Sequence, residues 1–211
     1  VTTHTQDLTH GAGGHVHKDT IGAKTGMWLF LFTELLLFGG LFIIYAVYRG
    51  EYTPEFHHAA EELNKVMGVT NTVVLLTSSL SMVMAVSHLQ RRNVGLSQLY
   101  LTATMLLAGA FMIIKLYEWS SKFNHGLFPG MHHLHELPHG EAMFFNLYFM
   151  MTGLHGIHVL IGLGVMAYIM TRMQNGTITV ENQGILEYTG LYWHLVDLVW
   201  VFLLPLFYLT N

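Results

Sequence analysis

Long uncharged runs separated by short polar stretches set the pattern of this chain. A bilayer's hydrocarbon core takes about 20 helical residues to cross. Five runs reach that length, at about residues 26–48, 66–89, 94–119, 142–171 and 188–210. The first carries one charge, Glu34, the second none, and the fifth one, Asp197. The third is uncharged through Ile114 and continues as helix through Lys115, Glu118 and Trp119. The fourth has thirty residues without a charge, so it is tilted or longer than the core. In lipid, runs of this length satisfy their backbone as helices. The pattern predicts an all-α integral membrane protein, a bundle of five transmembrane helices forming a single domain over 26–211, behind a polar His-rich tail at 1–25.

An odd number of spans puts the termini on opposite sides. Lys18, Lys24, Arg91, Arg92 and Arg172 fall on the amino-terminal side, against Arg49, Lys65 and Lys122 on the other, with Lys115 near that end of its span. The bias predicts a cytoplasmic amino terminus and an external carboxy terminus. Two long loops, 49–65 and 120–141, lie on the external side and have room for short surface helices. Small residues let helices approach closely in lipid. Gly39–Gly40, Ala108–Gly109–Ala110, Gly153, Gly156, Gly162 and Gly164 are the candidates, and they suggest a five-helix sheet or arc.

Composition narrows the chemistry. Apolar residues make up 52% and charged residues 10%, against roughly 25% charged in soluble domains. The chain has no cysteine, so thiolate zinc, iron–sulfur and Cys-attached haem are excluded. A net charge of −4 without a basic block argues against nucleic acid. The tail lacks the charged, apolar and small-residue order of a signal peptide. With no repeat and only Pro205 inside a span, transporter signals are weak.

Ionisable residues within spans are functional candidates because their insertion is costly. Glu34, in FLFTELLLFGG, reads either as a proton-carrying carboxyl or as a carboxyl paired to a histidine on another helix. Glu118 follows Lys115 by three residues, on one face, and reads as an interfacial ion pair. His194 and Asp197, in GLYWHLVDLVW, share a face, where an Asp can orient an imidazole. Their neighbours Tyr192, Trp193 and Trp200 read as interfacial or lipid-facing anchors. His155 and His158, in MTGLHGIHVLIG, share another face. They read as metal or haem ligands, with His194, Glu34 or Glu118 completing a site, or as hydrogen-bonding groups for which Glu34 is the first partner to test. The His-rich tail and the loop bearing His125, His132, His133, His135, Glu136 and His139 read as solvated segments.

These residues also carry a family resemblance. EYTGLYWHLVDLVWVFLLPLFYL closely resembles the carboxy-terminal signature of subunit III of haem–copper terminal oxidases. FFNLYFMMTGLHGIHVLIG resembles that family's penultimate helix, and GMWLFLFTELLLFGGLF its first shared helix with the embedded Glu34. NTVVLLTSSLSMVMAVSHL and KLYEWSSKF resemble the two helices between. The likeness runs from about Gly26 to Leu209 and is to the five-helix bacterial form. It implies a subunit without a catalytic residue, metal or redox centre of its own, in the bacterial inner membrane. The haems and copper would sit in subunit I and other partners. The implied role is to stabilise the catalytic subunit and support proton uptake in a complex that reduces oxygen to water and pumps protons. Arg172 matches a lipid-headgroup arginine, which implies bound phospholipid. Glu34 leans toward a cytochrome c rather than a quinol donor. The alternatives are a haem b protein ligated by His155 and His194, a proton-coupled transporter using Glu34 and Asp197, and the related accessory subunit of a nitric-oxide reductase.

Overall fold

The computed structural model describes residues 20–124, 126–131, 134, 137–178 and 184–209. Among these residues there are six helices and no strand: α1 (Thr20–Glu51), α2 (Thr53–Glu61), α3 (Lys65–Gln90), α4 (Val94–Asn124), α5 (His139–Gln174) and α6 (Gly184–Tyr208). All but α2 are long and apolar enough to cross a membrane. Each exceeds its uncharged run, because polar residues at the ends extend the helices past the apolar core. α1 starts at Thr20, ahead of the boundary expected at 26. The sixth helix, α2, occupies the loop between the first and second spans, with Pro in its first turn and Phe56, Ala59 and Ala60 buried.

The helix ends are specified locally. Asn64 Oδ1 accepts the amides of Val66 and Met67 at the start of α3, and Asn93 Oδ1 accepts that of Leu96 at the start of α4. Three helices close with the same paired bonds. The amides of Asn93, Leu127 and Thr177 reach the carbonyls of His88, Lys122 and Arg172, while those of Arg92, Gly126 and Gly176 reach Leu89, Phe123 and Met173. The residue at the hinge of each takes a positive φ of 62°, 72° and 68°. Glycine does this freely; Arg92 is held there at a cost of about 1 kcal/mol, and adds a cation at the negative end of α3.

α3 and α4 pack most extensively, as an antiparallel pair. Serines tie them together: Ser81 Oγ donates to the Tyr100 carbonyl at 2.8 Å and Ser97 Oγ to that of Ala85 at 2.7 Å. α4 then packs on α5, α5 on α6, and α6 back on α3, closing a four-helix ring. α1 lies outside this ring, against α5 and α6. Only 11% of its most apolar stretch is buried, against 50% for α6. A closed ring with one attached helix therefore replaces the expected arc.

The anchors expected at the lipid face are core residues instead. Trp193 and Trp200 are fully buried, and Tyr192 nearly so. Their indoles donate to Ser78 Oγ at 3.0 Å and Thr72 Oγ1 at 3.1 Å, both on α3. The α3 hydroxyls supply the indole partners that would otherwise be sought at the membrane surface. Of the small residues that the pattern marked, Gly162 admits a side chain most closely: a Cβ there would lie 2.8 Å from the Trp193 ring. Gly39, Gly40, Gly109 and Gly164 face nothing within 4 Å. Gly162→Leu is expected to overpack the α5–α6 contact, costing about 1–3 kcal/mol, measured as earlier unfolding of the purified protein on denaturant titration. Gly164→Leu is the control that should leave stability unchanged.

Candidate functional site

Five of the six ionisable residues singled out within the spans fall into three places, with no hydrogen bond joining one to another, and His155 stands apart. The first is enclosed by the protein. Lys115 and Glu118 on α4 are 2% and 3% exposed. Lys115 Nζ donates to Glu118 Oε2 at 3.0 Å, to Tyr148 Oη on α5 at 2.8 Å and to Tyr208 Oη on α6 at 2.7 Å. All three ammonium hydrogens are therefore used. Tyr208 Oη passes its own hydrogen to Glu118 Oε1 at 2.7 Å. The ammonium also lies 5.0 Å from the Trp200 ring centre. Gly68 makes this possible, because the Tyr208 ring lies flush on α3 where a Cβ would be only 2.7 Å away. Nearer the loop, Lys122 donates to the Glu62 backbone carbonyl and pairs with its carboxylate at 3.6 Å, fastening the end of α2 to α4.

The second place joins α1 to α5. Glu34 Oε2 and His158 Nε2 are 2.8 Å apart. His158 Nδ1 lies 2.8 Å from the Leu154 carbonyl, one turn back. A carbonyl only accepts, so Nδ1 carries a hydrogen. Nε2 then either accepts from a protonated Glu34 or donates to its carboxylate. One proton is shared in either arrangement and the pair is neutral overall, which suits a low-dielectric setting. Tyr192 Oη donates to the His158 carbonyl at 2.9 Å, and the Phe38 ring meets the imidazole edge-on at 5.4 Å.

The third place lies between α3 and α6. His194 Nδ1 shares a 2.6 Å hydrogen bond with Ser79 Oγ, so a serine and not Asp197 orients this ring. Asp197 is buried, and neither carboxyl oxygen has a hydrogen-bond partner.

His155 does not join Glu34. It is buried with neither ring nitrogen hydrogen-bonded, and the rings beside it are Phe111 at 5.6 Å and Trp200 at 5.1 Å. Arg172 sits in the last turn of α5, with its guanidinium 5.8 Å from the Tyr168 ring centre. Among the described residues no group of three or more His, Asp or Glu side chains is arranged to hold a metal. Of the histidines in and beside the two long loops, His58 pairs with Glu141 at 3.1 Å and His139 meets Tyr52 edge-on. The Tyr52 phenol, just past the end of α1, is pushed up by the Glu51 carboxylate. Most of the tail, and His125, His132, His133, His135 and Glu136, lie outside the described residues.

Spacing revealed Lys115 with Glu118, but not Tyr148, Tyr208, Ser79 or Lys122–Glu62. The signal available was three-residue pairing on one helix. The missed partners are on other helices, and hydroxyl residues in apolar runs look alike whether they face a cation or lipid.

Comparison with known proteins places this architecture. The family model described as cytochrome c oxidase subunit III matches residues 3–211. Cytochrome c oxidase subunit 3 of Alkalihalophilus pseudofirmus is 29% identical over 208 residues, covering 97% of this chain and 96% of that one. Cytochrome bo(3) ubiquinol oxidase subunit 3 of Pseudomonas aeruginosa is 28% identical, covering 99% and 95%. The heme-copper oxidase subunit I+III of Aeropyrum pernix is 28% identical over 92% of this chain, which spans 23% of that longer protein.

Two substitutions test the internal network. Lys115→Met strands the Glu118 carboxylate and is expected to cost about 3–5 kcal/mol. Tyr208→Phe removes one charge-assisted bond and should cost about 1–3 kcal/mol. Both are read by denaturant titration in mixed micelles. A Lys115→Met protein as stable as the parent would show that the pair contributes nothing.

Proposed function

The chain belongs to the cytochrome c oxidase subunit III family, and from that premise we propose how it serves its complex. It is an accessory subunit of a haem–copper terminal oxidase and a multi-pass membrane component of a respiratory chain. The haems and copper of such a complex belong to its other subunits. In our reading this chain holds the catalytic subunit I in its working state and supports proton uptake into it. The membrane is the bacterial inner membrane, with the amino terminus cytoplasmic. The A. pernix relative, named as subunits I and III in one chain, supports association with subunit I.

The observation that carries this role is the Glu34–His158 link. It fastens the outlying α1 to α5, yet its side chains remain 16% and 12% exposed. A polar pair partly open at the edge of a membrane bundle gains from cover by a protein neighbour. Subunit I is the neighbour that this reading assigns. Arg172, at the end of α5, is suited to a phospholipid phosphate, and we assign it that role. The haem alternative lacks geometric support, because His155 adjoins Phe111 and Trp200 while Ser79 holds Nδ1 of His194.

Glu34→Ala is expected to loosen this chain from subunit I in detergent while leaving the initial turnover of the intact complex close to that of the parent. The measurement is subunit retention on native gels beside oxygen uptake. Unchanged retention after detergent challenge contradicts the role given to the pair. For the donor, Glu34 favours cytochrome c, and copurification with a copper-bearing subunit II is the expected result.

A further inference from the structure

The third polar place has no part in that reading. Between α3 and α6, at the end where the α3–α4 turn lies, is an open cavity of about 360 Å³. Its rim carries Gln90 and Glu187, whose side chains meet at 3.0 Å. Ser87, Val83 and Val86 form a wall, and the His194 imidazole is the deepest polar group lining it. Ser79 occupies Nδ1 of that ring, which leaves Nε2 for the cavity. Asp197 follows one turn deeper, about 4.5 Å along α6. From Glu187 at the rim to Asp197 is about 15 Å of helix. Ser79 is also the side chain that bears on the Asp197 carboxyl, although it makes no well-formed hydrogen bond to it.

These groups form a descending series: an amide–carboxylate rim, a cavity large enough for several waters, an imidazole, a hydroxyl and a buried unpaired carboxyl. A carboxyl buried without a hydrogen bond is costly, and inside a membrane such a group marks a site of function by default. We propose that this cavity is an aqueous inlet and that Asp197 is a proton-exchanging site served by it, with His194 and Ser79 as the relay. A proton from cavity water binds His194 Nε2. The Ser79 hydroxyl turns its hydrogen to the Asp197 carboxylate while its oxygen still accepts from Nδ1; the Nδ1 hydrogen then passes to Oγ as the hydroxyl's own hydrogen passes to the carboxylate. One proton enters, one reaches Asp197, and the ring is left neutral with its hydrogen on Nε2. Return by the same steps resets the ring. The Glu34–His158 pair, on the α1 side of α5, takes no part.

The absence of cysteine from this chain permits a direct test in the intact complex held in lipid nanodiscs, where both faces are open to reagent. Val86→Cys places a thiol in the cavity, and Met84→Cys places one nearby on the exposed face of α3 outside it. With a charged, membrane-impermeant thiosulfonate, the Val86→Cys subunit should be modified about tenfold faster, read by mass spectrometry of this chain. Equal, slow rates would mean that lipid fills the groove and would overturn the inlet. The relay is read by infrared hydrogen–deuterium exchange of the Asp197 carboxyl, its band assigned with Asp197→Asn. Ser79→Ala should slow that exchange about tenfold while subunit retention stays intact. An Asp197 band that does not exchange in the parent, or that exchanges as fast in Ser79→Ala, would overturn the relay.

Discussion

The charges on a helix that crosses lipid have to be met inside the protein, because the solvent around it offers no partner. The Lys115–Glu118 pair is where this constraint acts most strongly. Its two charges could not stay buried alone. Three helices must therefore come together around it: α4 brings the charges, α5 brings Tyr148, and α6 brings Tyr208. The order of packing in the ring follows. α5 and α6 have to lie beside α4 and beside each other. α3 has to present a glycine to the Tyr208 ring, and it does so at Gly68. The indole bonds to Ser78 and Thr72 then fix the rotation of α6 against α3.

α1 obeys the same constraint more weakly. It has little buried apolar surface, and it attaches at two polar points. Glu34 meets His158 near its middle, and Tyr45 donates to the Leu206 carbonyl nearer its end. Leu206 lies in the last turn of α6, where carbonyls have no partner within the helix. The ring and the attached helix thus differ in what holds them. Dense packing and the Lys115–Glu118 network hold the ring, while two side-chain hydrogen bonds and a narrow apolar contact through Phe38, Leu41 and Tyr45 hold α1. If any part of the chain moves relative to the rest, α1 is the part that the bonding pattern releases most readily.

Membrane crossing was legible in the sequence because it depends on composition along one helix at a time. The five uncharged runs and the room for α2 came from length and charge alone. The Glu34 pairing to a histidine was also legible, since a carboxyl and an imidazole in apolar runs have few other partners. The enclosure of Lys115 and Glu118 was not. Lys115 lies near the end of its apolar run, and the hydroxyls that meet it, Tyr148 and Tyr208, come from other helices. Trp193 and Trp200 misled for a related reason: tryptophan suits the membrane surface and the core alike, and the choice rests on Ser78 and Thr72 of another helix. Small residues were ambiguous too. Gly162 admits a ring, whereas Gly39 and Gly40 face open space, and spacing along one helix does not separate the two cases.

The account stands on charged and hydroxyl groups acting across helices as a unit. The direct measurement is a double-mutant cycle on Lys115→Met and Glu118→Gln, followed by denaturant titration of the complex in mixed micelles. If the two residues act together, the double variant is more stable than the sum of the single losses predicts, with a coupling of about 1 kcal/mol or more. Losses that add within about 0.3 kcal/mol would show that each residue acts alone, and would contradict the claim that their pairing organises the ring.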